Sequence, residues 1–165
     1  MNSIIGYLEH WAAIQPDKCY SSFLDVHGKE TESYTYLGFN ERSRYLAEYL
    51  SRQVGVKRGD RALLVYPPGL EVIVAFFACA RIGVIPVPVY PPTQTSFQKG
   101  LTQLTFIALD CQARVALTTH GFHRSYQMFS EGKFAHSFLP NAPALPHLDW
   151  VTTDDVKGQA SESFG

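Results

Sequence analysis

The sequence has almost no surplus charge of either sign. Its 14 Lys and Arg against 15 Asp and Glu leave a formal net charge of −1. That argues against a nucleic-acid partner, because no basic excess is there to neutralise phosphates and no run of Lys and Arg occurs. Cysteine is scarce. Cys19, Cys79 and Cys111 are far apart and form no CxxC pair, which argues against a zinc site or a disulfide framework. Three buried thiols in a reducing compartment are expected instead. Long apolar runs are missing too. The longest, Leu70 to Ala80, is bounded by Glu71 and Arg81. At about 1.5 Å per helical residue it falls well short of a hydrocarbon core of about 30 Å. The start, MNSIIGYLEHWAAI, lacks the basic and long apolar regions of a secretory leader, so a cytoplasmic protein with no membrane span is expected.

Several nucleotide and hydrolase signatures are also absent. There is no GxGxxG after a strand, no GxxxxGK[ST] and no GxSxG, so those phosphate-cradling loops and that nucleophile elbow are excluded.

What is present is ordinary for a globular domain. The 165 residues are 45% apolar and 18% charged, enough for one domain with a core. Residues 3–14 have the spacing of a short amphipathic helix, with Ile4, Leu8 and Trp11 as its stripe. CYSSFLD and TESYTY flank a His-Gly turn and read as a hairpin. Thr35 suits a helix N-cap, and Phe39, Ser43, Leu46, Ala47 and Leu50 line one face of the helix it opens, which Gly55 ends. ALLVY from Ala62 is a buried-strand pattern. Pro67-Pro68-Gly69 breaks the chain, and Leu70 to Ile82 is apolar nearly all round, as a deeply buried helix would be.

RIGVIPVPVYPP, Arg81 to Pro92, follows. Proline gives no N–H to a ladder, so this greasy run belongs at a sheet edge or in an extended crossing. Strand, helix and extended segment make a βαβ unit. The pattern repeats. Phe97 to Asp110 is a helix with Leu101, Leu104, Ile107 and Ala108 on one side, ARVALTT a strand, and Phe122 to about Phe134 a weaker helix. Pro140, Pro143 and Pro146 mark a loop, and LDWV is a last strand. The expected fold is α/β: a doubly wound parallel sheet of βαβ units with an N-terminal helix and β-hairpin attached. Residues 1–156 are expected to form the domain and 157–165 a polar, disordered tail.

The candidate chemistry is thin. His120 and His123 stand three apart in TTHGFHRS, but no carboxylate or cysteine lies close by in sequence, and a polar helix start is the plainer reading. Asp149, Asp154 and Asp155 have the types needed for acid–base work or magnesium, yet Asp154 and Asp155 after a strand suit turns and caps. Glu71 suits the positive end of its helix. Tyr66 and Tyr90, at strand ends, could line a pocket or simply belong to the core. No catalytic, cofactor-binding or metal-binding residue is assigned.

The stretch VGVKRGDRALLVYPPGLEVIVAFFACARIGVIPVPVYPP, Val54 to Pro92, resembles the N-terminal subdomain of acyl-adenylate-forming enzymes, and most closely the fatty acyl-AMP ligases. The matching elements Tyr66-Pro67-Pro68 and Tyr90-Pro91-Pro92 carry the likeness. WAAIQPDKCYSSFLD, TYLGFNERSRYLAEYL and LPHLDWVTTDD resemble further parts of that family, from about Trp11 to Asp155. An acidic residue is usual where Gly38 stands, so the capping box is incomplete. The resemblance implies activation of a fatty acid by ATP to acyl-AMP, with magnesium, and an acyl carrier protein or CoA as acceptor. It also places the Ser/Thr/Gly-rich phosphate loop, the ribose-holding aspartate and the C-terminal lysine after the matched region, and no such loop occurs here. The chain is therefore expected to be a catalytically incomplete N-terminal part that binds no ATP or Mg2+ by itself. The alternatives are an interaction module or split-enzyme subunit that completes a partner chain in trans, and a free-standing α/β domain for a small ligand.

Overall fold

The computed structural model describes residues 3–130, 148–161 and 164. The expected continuation of the last helix to Phe134 and the loop of Pro140, Pro143 and Pro146 lie outside the described residues.

Helix α1 (Ile4–Ile14) opens on Ser3, whose Oγ accepts the Gly6 N–H at 3.1 Å. It buries Leu8 and Ala12. The expected stripe is only partly right. Ile4 and Trp11 are exposed, and with Tyr7 and Ile14 they form an outward apolar face. Strands β1 (Cys19–Leu24) and β2 (Glu30–Thr35) pair antiparallel as the expected hairpin. Its turn is held by Asp25 Oδ1, which accepts the N–H groups of His27 and Lys29, with Gly28 at φ 77°.

Thr35 caps helix α2 (Tyr36–Tyr49) by accepting the Gly38 N–H at 3.1 Å. All five residues expected to face the core, Phe39, Ser43, Leu46, Ala47 and Leu50, are buried. A wider turn over Leu50–Val54 follows, and Gly55 in the left-handed region ends it.

Strands β3 (Arg61–Val65), β4 (Ile85–Val89), β5 (Val115–Thr118) and β6 (Asp149–Thr152) form one parallel sheet in the order β4-β3-β5-β6. Helices α3 (Glu71–Arg81), α4 (Phe97–Asp110) and α5 (His120–Ser130) make the crossovers. The chain leaves β3 in one direction and returns past it to β5, so the order reverses between β3 and β5. Helix α3, backed by α1 and α2, covers the sheet face that carries Ala62 and Leu64. Helix α4 and Phe122 of α5 cover the opposite face, with Leu63 and Val65. Alternate residues of β3 thus feed two cores, as a strand buried on both sides requires.

The proline run is the edge strand. Ile85 donates to Asp60 O at 2.8 Å, and the parallel register pairs Pro86 with Ala62 and Pro88 with Leu64. The two-residue period then turns the nitrogens of Pro86 and Pro88 away from β3, to the side that no strand among the described residues pairs, so no ladder donor is lost there.

Three expectations need correction. Helix α3 is not buried all round, because Phe76 is exposed on its outer side. On α4 Thr105 is buried in place of Ile107; its hydroxyl is satisfied by Leu101 O at 2.9 Å, so the hydroxyl carries no burial penalty. Of the three cysteines only Cys79 is buried, while Cys19 opens the hairpin in solvent. Ser161 reaches back to α2, donating its N–H and its hydroxyl to Glu48 at 2.6 and 2.7 Å. Among the described residues no helix is long and apolar enough to cross a membrane.

Candidate functional site

Parallel sheets offer ligands a crevice beyond the C-terminal strand ends where the order reverses. Here a pocket of about 600 Å³ opens at those ends. The turns after β3 and β4, Tyr66-Pro67-Pro68 and Tyr90-Pro91-Pro92, form one side. Phe97 at the start of α4, with Phe122 and Tyr126 from α5, forms the other. The Phe97 and Tyr126 rings are 6.2 Å apart, and Tyr126 packs on Trp150 of β6 at 4.6 Å. Among the described residues no charged side chain lines the pocket. Such a lining can hold a hydrocarbon chain, with a few hydroxyls for orientation.

Prolines shape one wall for a physical reason. The ring fixes φ near −65°, so consecutive prolines after a strand end hold the chain in few conformations. Each turn therefore leaves an aromatic ring and two pyrrolidine rings facing the pocket.

Beneath the pocket lies a polar brace. The Tyr66 hydroxyl is 2.9 Å from Thr153 Oγ1, and Thr118 Oγ1 donates to Val65 O at 2.6 Å. Burial pushes the Tyr66 phenol well above its usual range, so it stays protonated as a donor. Arg42 on α2 donates from one nitrogen to Glu71 Oε1 and to Thr153 O, each at 2.7 Å. Burial raises the Glu71 carboxyl, against the pull of the Arg42 guanidinium. Glu71 Oε2 is buried and makes no hydrogen bond among the described residues, so nothing there offsets its desolvation. Glu32 Oε2 accepts the Leu70 N–H at 3.2 Å, so the hairpin also reaches the start of α3.

The sequence candidates are distributed unevenly. Tyr66 and Tyr90 both line the pocket; Tyr66 is also core, and Tyr90 is exposed. Glu71 does more than suit a helix end, since it pairs with Arg42. His120 and His123 do not converge. His120 Nδ1 faces Asp155 Oδ2 at 3.0 Å, while the His123 ring stacks on Trp150 and burial lowers its basicity. Asp154 Oδ1 accepts the His120 N–H at 2.7 Å, a cap for α5. Asp149 pairs with Arg114 at the other end of the sheet. Among the described residues no three His, Cys, Asp or Glu side chains come together to hold a metal. Phe97, Phe122, Tyr126 and Arg42 were missed as site residues. The aromatic three could have been found from their place in the first turns of helices that leave β4 and β5.

Comparisons with known proteins point one way. The profile of the AMP-binding enzyme family matches residues 8–163. The medium-chain-fatty-acid–[acyl-carrier-protein] ligase JamA of Moorena producens is 31% identical over 99% of this chain and 26% of its own length. Disco-interacting protein 2 homolog B of Mus musculus is 30% identical over 71% of this chain and 7% of its own. Among solved structures, a fatty acyl-adenylate ligase from Legionella pneumophila in complex with acyl adenylate and pyrophosphate superimposes with a TM-score of 0.75. It is 25% identical, and the match covers 95% of this chain and 24% of that one. The chain therefore spans about a quarter of the two ligases and less of the third relative.

Proposed function

The chain belongs to the AMP-binding enzyme family, and from that premise we propose that it is the N-terminal part of a fatty acyl-AMP ligase-like enzyme. The whole enzyme would use ATP and Mg2+ to activate a fatty acid for transfer to an acyl carrier protein or CoA. In that reaction a carboxylate oxygen bonds to the α-phosphorus of ATP, and the bond from that phosphorus to the pyrophosphate oxygen breaks. The products are acyl-AMP and pyrophosphate.

The observation that carries the reading is the uncharged pocket between the two Tyr-Pro-Pro turns and the aromatic starts of α4 and α5. Its part is to hold the apolar chain of the acid. Phe122 and Tyr126 supply contact area, and burying each methylene contributes about 0.8 kcal/mol. The phosphates and magnesium would be held by residues outside this chain, so the chain alone would be catalytically incomplete. The names of the ligase relatives support the same substrate class.

The test is a titration of the protein with cis-parinaric acid, a fluorescent fatty acid, followed by a mass-spectrometric assay for acyl-AMP with decanoate, ATP and Mg2+. Binding at micromolar concentration is expected, weakened at least about tenfold by Phe122→Asp, with no acyl-AMP formed. Absence of fatty-acid binding would overturn the acyl-wall reading. Acyl-AMP made by this chain alone would overturn its incompleteness.

A further inference from the structure

The two sides of the pocket meet where α4 leaves the second Tyr-Pro-Pro turn. Gly100, in the first turns of α4, is packed against Pro92. A Cβ added at Gly100 would lie 2.8 Å from Pro92 Cα and 3.1 Å from Pro92 Cβ. Carbon atoms in good contact sit about 3.5–4.0 Å apart, so any side chain here forces one segment to move. Pro92 is buried and follows Pro91, and their rings fix φ, so the turn has little freedom to yield. Helix α4 must move instead. Glycine is otherwise a poor choice for a helix interior. Gly100 has a helical, not a left-handed, backbone. The close approach to Pro92 is what explains it.

Phe97 lies one turn earlier on the same helix and lines the same pocket as Pro91 and Pro92. Helix α4 carries that ring as a rigid unit, so the Gly100–Pro92 contact fixes the gap between the proline wall and Phe97. It also fixes where Phe97 meets Tyr126. We propose that Gly100 is a specificity-determining positioning residue: its lack of a side chain sets the width of the pocket and with it the preference for acyl chain length. This rests on the acyl reading above. A short chain depends on close walls for its few contacts, whereas a long chain fills the pocket even when one wall stands back. Widening the pocket therefore penalises the short chain more.

The experiment displaces cis-parinaric acid from the wild type, Gly100→Ala and Gly6→Ala with octanoate, dodecanoate and hexadecanoate. Gly6 is on α1, away from the pocket, where an added Cβ would meet only Ser3 Oγ at an ordinary 3.5 Å. Gly100→Ala should lower the octanoate-to-hexadecanoate affinity ratio by about fourfold, the equivalent of one buried methylene. Gly6→Ala should leave that ratio unchanged. Phe97→Ala keeps the Gly100–Pro92 contact and removes the ring it positions, so it should lower the same ratio even if Gly100→Ala fails to fold. An unchanged ratio in Phe97→Ala, or in a folded Gly100→Ala, overturns the role of Gly100 and leaves the acyl reading standing. Failure of the wild type to bind any of the acids overturns both.

Discussion

The Tyr66 hydroxyl meets the Thr153 hydroxyl at 2.9 Å, across the end of a strand that belongs to neither. Tyr66 follows β3 and Thr153 follows β6, while β5 runs between them. Thr118, at the end of β5, closes the set: its hydroxyl donates to Val65 O, and its carbonyl accepts the Thr153 N–H at 2.9 Å. Three strand ends are thereby tied together beside Tyr66, which lines the pocket.

Tyr66→Phe keeps the ring against the core and removes one buried hydrogen bond. The expected cost is about 1 kcal/mol, read from urea unfolding, with fatty-acid binding preserved because the ring still lines the pocket. Loss of binding at full stability would show that the hydroxyl contacts the ligand and is not a brace.

The cysteines should differ in reactivity in a fixed order. Cys19 is exposed, Cys111 is half-buried with its thiol raised chiefly by burial, and burial pushes Cys79 up to about 12. The thiolate is the reactive form. Titration with a disulfide reagent should therefore show a fast Cys19, a slower Cys111, and a Cys79 that reacts only as the protein unfolds. Cys19→Ser should remove the fast phase alone. A fast Cys79 would mean that α3 is not packed as described.

Pro86 stands on β4, the end strand of the sheet among the described residues. Pro86→Val would add an N–H donor facing outward beside the exposed Ile85. The fold should keep its stability within about 0.5 kcal/mol, but light scattering should show faster self-association, since unpaired edge donors recruit other strands. An unchanged association rate would place the protection in other features of that edge.

Much of this fold is legible in the sequence because local chemistry and burial agree. Thr35 caps a helix whose five expected core residues are all buried, and the prolines of IPVPV announce an edge strand. The errors occur where surface and core residues look alike. Trp11 and Ile107 are apolar yet exposed, and periodicity alone cannot choose between two apolar faces of one helix. The Tyr-Pro-Pro turns pointed to the crevice, but its far wall could not be read from them. Arg42 was hidden for another reason: its partners Glu71 and Thr153 lie far along the chain, and no local pattern links residues so distant.

The Arg42–Glu71 pair gives the protein a pH dependence whose sign is fixed. Both side chains are largely shielded, 17% and 16% exposed. The Glu71 carboxyl is raised above its ordinary 4.5 by burial, while Arg42 pulls it down by charge and hydrogen bonding. Between 4.5 and the raised native value the folded state holds more protons than the unfolded chain, so stability contributed by Glu71 falls as pH rises through that window. Arg42→Met removes the pull, moves the native value higher and extends the fall toward neutral pH. It leaves a shielded carboxylate without its cation there, at a cost of about 3 kcal/mol, and a smaller cost in acid where Glu71 is protonated. Adding Glu71→Gln to Arg42→Met should recover most of the neutral-pH loss and flatten the slope, because no charge is then stranded. Urea unfolding across the acid-to-neutral range decides the matter. An equal loss at every pH would mean that Arg42 acts through its bond to Thr153 O alone, with Glu71 already neutral beside it.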